Sequence, residues 1–170
     1  MMKNVLLSLS FIVIFGLIGC SNSNESEPEQ NDGSSSNEKI QEVSLTHNEK
    51  PPTLTLTVGE DVIHAKLGGY SWSYLDTKTE QMVGVEAESL PSTEIVDVEN
   101  AVSVNLKETI KINFENEPIE YEIRAYDKNN NVIATYHDFK DVKEKGKTIY
   151  DIVVTWDNGK VIYVVALDVQ

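Results

Sequence analysis

Cysteine is nearly absent: Cys20 is the only one in 170 residues. No disulfide can form within the chain, so the staples on which many small exported domains rely are excluded. Positive charge is also scarce. Lys and Arg total 14 against 28 Asp and Glu, for a formal net charge of −14. The imbalance is spread along the chain, with seven acids and two lysines in residues 21–50, and 21 acids and 11 bases in residues 51–170. A surface of this sign repels phosphate backbones, which argues against nucleic acid and against polyanionic wall polymers as partners. Its plain use is to keep an exported protein soluble. Beyond residue 50 no segment carries apolar residues at helical spacing, which argues against a helical bundle or a helix-covered parallel sheet. Histidine occurs three times and never in an H-E-x-x-H pattern, and there is no G-x-S-x-G elbow.

Long hydrophobic runs are missing apart from one. Val5–Ile18 is almost wholly apolar and follows Lys3. At about 14 residues it matches the apolar region of a secretory signal and falls short of the roughly 20 needed to span a bilayer. The run ends in Leu17-Ile18-Gly19-Cys20. These four residues resemble the lipobox of bacterial lipoprotein precursors, with Leu17 three places before the cysteine and the small Gly19 immediately before it. The resemblance implies that residues 1–19 are a signal peptide, recognised at Leu17, Ile18 and Gly19. It also implies that Cys20 carries a diacylglyceryl group through a thioether, which removes it as a nucleophile. Two acyl chains give durable attachment where one is marginal. The implied location is the extracytoplasmic face of the cell membrane, with the membrane itself as a partner.

Residues 20–50 read as the lipidated cysteine and a linker. Ser, Asn, Glu, Gln and Pro dominate it, and so little apolar surface cannot offset the entropy of ordering. A disordered coil of this length has an end-to-end distance of roughly 30 Å. From residue 51 to 170 the pattern becomes two-fold. Leu54, Leu56 and Val58 alternate with threonines, Tyr70, Trp72 and Tyr74 with Ser71 and Ser73, and Ile110, Ile112 and Phe114 with polar residues. Ile119, Tyr121, Ile123 and Ala125 form a further row. Ile95–Val98 and Val102–Leu106 are weaker apolar stretches. Gly68-Gly69 breaks the pattern, residues 127–131 make a turn, and Asp157-Asn158-Gly159 suits a tight primed hairpin turn. Nine or ten short strands without helices predict an all-β fold, an antiparallel immunoglobulin-like β-sandwich, with a partly closed barrel as the alternative. The Gly68–Trp72 segment, the Ile110–Phe114 strand with Pro118, and the closing Trp156–Tyr163 hairpin resemble a group of small lipoproteins of Bacillus and relatives, for which no activity is established.

No catalytic constellation stands out, and no metal or cofactor beyond the covalent lipid on Cys20 is implied. Asp127–Asn131 with Asp138 has a superficial calcium-loop spacing, but Val132 stands where the loop needs glycine and strands flank it, so a hairpin explains the same residues. Tyr70, Trp72 and Tyr74 are the candidate ligand contacts, since on a strand they share one face. Ser71 and Ser73 make the better solvent face, which turns the aromatics inward. The expectation is a non-catalytic binding or interaction module for a protein or glycan partner. The alternatives are a wall-glycan hydrolase using paired carboxylates, or an accessory subunit of an envelope complex.

Overall fold

The computed structural model describes residues 46–105 and 107–170. The signal, the Leu17–Cys20 motif and the linker up to residue 45 lie outside the described residues. Ten strands follow in order: β1 (Leu54–Val58), β2 (Asp61–His64), β3 (Lys66–Asp76), β4 (Gln81–Ala87), β5 (Val102–Val104), β6 (Ile110–Phe114), β7 (Glu120–Tyr126), β8 (Val132–Tyr136), β9 (Gly146–Trp156) and β10 (Gly159–Val169). One helical turn, α1 (Ser92–Ile95), and two 3-10 turns at Val98–Asn100 and Phe139–Asp141 complete the elements.

The strands form an all-β sandwich of two unequal sheets. The smaller has the order β2-β1-β6, all antiparallel. The larger has the order β4-β3-β10-β9-β7-β8, and β5 adds in parallel to the far end of β10. Period-two alternation explains the core. Leu54, Leu56 and Val58 from β1 and Ile110 from β6 meet Ile152, Val154, Val161, Tyr163, Val165 and Leu167 from β9 and β10. Each such side chain contributes about 1.5–3 kcal/mol on leaving water. Trp156 anchors one end, with ring edges against Trp72 at 5.9 Å, Phe114 at 6.3 Å and Tyr163 at 6.4 Å between centroids. Such pairs add about 0.5–1.5 kcal/mol each beyond their area.

Gly68 and Gly69 interrupt the alternation without ending the strand. The register of β3 on β10 shifts between Val161 and Tyr163, so two residues of β3 face one of β10. A Cβ at Gly68 would lie 3.1 Å from the Ile162 carbonyl oxygen, and one at Gly69 3.2 Å from that of Ala87. The bulge therefore brings both glycines close to neighbouring backbone.

Three expectations change, and one strand has no counterpart among them. The apolar residues at 95–98 form no strand. Pro91 opens a single helical turn, the Glu94 amide donating to its carbonyl at 2.8 Å, and the connection from 88 to 101 crosses the outer face of the larger sheet. Its α1 and first 3-10 turn rest on β9, β3 and β10. β4 has no counterpart in the sequence reading, because it is an edge strand whose residues are all exposed or half-buried and so lack apolar alternation. Ile119, placed in an inward row, is 64% exposed, since β7 begins one residue later. The hairpin tip is not a primed turn. Asp157 and Asn158 keep negative φ, and the positive φ of +148° belongs to Gly159, already paired with Trp156.

Candidate functional site

The aromatic row lies on the core side of β3. Trp72 is 3% exposed, and Tyr70 and Tyr74 are half-buried against the core. Trp72 nevertheless reaches the end of the sandwich, where its Nε1 donates to the Asn48 carbonyl at 2.9 Å. Trp156 does the same from β9, donating to the Asn116 carbonyl at 3.1 Å. The two indoles meet edge to face and each holds one loop. The Thr46–Asn48 loop is fixed further by the Leu75 amide, which donates to the Thr46 carbonyl at 2.9 Å. The hairpin tip is fixed by Asn158. Its carbonyl accepts from the Ser73 amide at 2.7 Å, and its side-chain amide donates to the Ser73 carbonyl at 3.1 Å.

Between these loops lies a cleft of about 440 Å³. Trp72 and Trp156 form its floor, Ile119 gives one apolar wall, and His47, Asn48, Asn116, Glu117, Asp157 and Asn158 supply a polar rim. Because both indole N–H groups are spent on the loops, the floor offers ring edges only. Specificity therefore falls to the rim amides and carboxylates. Of the three candidate contacts read from the sequence, Trp72 is the one that lines this cleft. Trp156, which is also packed in the core, lines it as well. The rim comes from segments more than 100 residues apart, which no local pattern could bring together.

The other candidate chemistries resolve as follows. The Asp127 carboxylate accepts from the backbone amides of Asn129 at 2.9 Å and Asn131 at 2.8 Å. Those bonds hold its carboxyl below the usual range, and Asn130 takes the left-handed conformation the turn needs. The loop is thus occupied with making a hairpin. His64 and His137 sit on different sheets or their ends, and no three His, Cys, Asp or Glu side chains gather as a metal-ligand set among the described residues.

The sequence reading missed the most unusual acid. Asp151 lies mid-strand in β9 on the outer face of the larger sheet and is 3% exposed. Among the described residues its Oδ1 has no hydrogen-bond partner. Burial pushes its carboxyl up, against the opposing pull of the Ser92 and Tyr126 hydroxyls and the Arg124 guanidinium. Arg124 stands across the ladder from Asp151 but is paired with Glu122. The available signal was an aspartate inside the otherwise apolar run Ile149–Val154. In comparisons with family models, with curated proteins and with solved structures, nothing matches the chain.

Proposed function

We propose that this chain is an extracytoplasmic lipoprotein, held at the cell membrane by a diacylglyceryl group on Cys20, whose β-sandwich is a non-catalytic binding module. The cleft at the end of the sandwich is its binding site, and a glycan is the ligand class that fits best. The observation that carries the reading is the pair of indoles whose N–H groups both hold loops, leaving an open cleft ringed by amides and carboxylates. Such a rim hydrogen-bonds hydroxyl-rich ligands, and the indole edges with Ile119 give the cleft an apolar base for their C–H groups. The location rests on the Leu17–Cys20 motif.

The site carries its own reporter, because Trp72 and Trp156 are the only tryptophans. Soluble glycan fragments from the host's wall, added to residues 20–170 with Cys20→Ser, should change the tryptophan emission saturably. Asn116→Ala should weaken that response at least several-fold. No change in emission with any fragment, or an unaltered response in the variant, removes the cleft from consideration. For the anchor, mass spectrometry of the protein from its native host should find Cys20 as the lipid-bearing N-terminus, and Cys20→Ser should appear in the medium.

Two carboxylates, Glu117 and Asp157, line the same cleft. That observation supports the second reading, a glycan hydrolase working through paired acids. New reducing ends from wall glycan, abolished in both Glu117→Gln and Asp157→Asn, would establish it.

A further inference from the structure

The outer face of the larger sheet is the less used side of the sandwich, yet its centre is closed. The connection over residues 88–101 lies across it, and beneath it Ile149 and Val164 are buried together with Asp151. Ser92, in the middle of that strap, is 8% exposed. The strap is lightly built. Its regular structure is α1 and one 3-10 turn, held by four backbone bonds: Glu94 to Pro91 at 2.8 Å, Val96 to Ser92 at 3.3 Å, Asn100 to Asp97 at 3.1 Å and Ala101 to Val98 at 3.2 Å. At its far end Lys147 clamps Glu99 through the carboxylate at 2.6 Å and the carbonyl at 3.1 Å. Along one side a cleft of about 270 Å³ separates Ile95, Val96 and Asp97 from Val164 and Ala166. That leaves the segment from 90 to 97 room to lift between the end of β4 and the clamp at Glu99.

Under this strap Asp151 lacks what a buried carboxylate needs. Its Oδ1 has no donor among the described residues. From β7 it is faced by Arg124, already bound to Glu122, and by Tyr126. From the strap it is faced by the Ser92 hydroxyl, whose hydrogen bond favours the ionised form but is outweighed by burial. Across β10 its neighbour is Val164. An ionised carboxylate that is incompletely paired is costly away from water and is relieved by hydration. Protonation removes the charge and lets the strap seat. We infer that residues 88–101 form a proton-controlled shutter over the outer face of the larger sheet, seated while Asp151 is neutral and lifted when it ionises.

The sign follows from linkage. Seating favours the protonated acid, so the opening equilibrium rises with pH, by up to tenfold per pH unit while the lifted state is ionised and the seated one is not. The burial-raised affinity of Asp151 for its proton agrees with that direction. The test is amide hydrogen exchange on residues 20–170 with Cys20→Ser between pH 4.5 and 8, corrected for intrinsic exchange rates. The Glu94, Val96 and Asn100 amides should lose several-fold to tenfold protection per pH unit across part of that range. The Val153 and Val161 amides should hold theirs. In Asp151→Asn, which has no proton to lose, the strap amides should stay protected throughout. A strap protection independent of pH in the wild type overturns the inference, as does an unchanged pH dependence in Asp151→Asn. Should that variant fail to fold, the contrast between strap and strand amides in the wild type still decides.

Discussion

Gly159→Ala is the most informative single change, because two separable effects meet at one atom. Gly159 opens β10 opposite Trp156 and Trp72. A Cβ there would lie 1.9 Å from the Ser71 carbonyl oxygen, 2.9 Å from its carbon and 3.1 Å from the Trp72 Cα. These are backbone atoms of a central strand, so the contact cannot be relieved by a rotamer change, and β3 and β10 must part. The φ of +148° adds about 1–3 kcal/mol for any residue with a side chain. Parting the strands here also disrupts the two Asn158–Ser73 hydrogen bonds, at about 0.5–1.5 kcal/mol each. The expected loss is about 3–5 kcal/mol, a large share of the roughly 5–15 kcal/mol by which a domain is stable. Urea unfolding followed by tryptophan emission reads it directly, since both fluorophores flank the site, and the midpoint should fall by about 2 M. Gly146→Ala is the control. Gly146 also has positive φ, at +84°, but nothing lies within 4 Å of its Cβ position, so only the conformational term of about 1–2 kcal/mol applies. If the two variants lose the same stability, the steric argument is wrong.

Three further outcomes are expected. Asp151 binds its proton more tightly folded than unfolded, where its pKa is about 3.9, so its contribution to stability is most favourable below that value and declines as pH rises through the raised folded one. Asp151→Asn should therefore gain stability relative to wild type with increasing pH, by at most about 1.36 kcal/mol per pH unit, and unfolding curves between pH 4 and 8 that run parallel would contradict this. Trp72→Phe should lose about 1–2 kcal/mol, since the Asn48 carbonyl loses its donor, and the Thr46–Asn48 loop should exchange its amides faster. Leu56→Ala, at a site with 0% exposure between the sheets, should cost about 2–5 kcal/mol by chemical denaturation. A smaller value would mean that β1 can collapse into the space.

The strands were legible where one face is dry. Leu54, Leu56 and Val58 alternate with threonines because the smaller sheet has a core side and a solvent side, and period two follows. β9 was legible as apolar but not as two-sided. Its near-continuous burial reflects cover on both faces, and the cover comes from residues that look like another strand. Pro91 opens a helical turn there, and the segment packs across β9, β3 and β10 instead of pairing with an edge. β4 was invisible because an edge strand makes too few contacts to impose a pattern. Gly68-Gly69 was legible as a break in the pattern and Gly159 as a turn residue, but their reasons are tertiary: Gly68 and Gly69 lie close to neighbouring backbone, and Gly159 leaves room for the Ser71 carbonyl.

The candidate site divides in the same way. Trp72 could be singled out by its strand and its aromatic neighbours, and Cys20 by its three preceding residues, because both signals lie within a few positions of one another. The cleft partners Asn48, Asn116 and Asp157 carry no such signal, and only the closure of the sandwich end sets them around two indoles. Asp151 shows the division most clearly. Its presence in an apolar strand is written in the sequence, whereas its loss of solvent depends on a strap more than fifty residues away in the chain. Local alternation fixes which residues can face a core, because side chains along a strand point to opposite sides. Which side is covered, and by what, is settled only when distant segments compete for the same apolar surface.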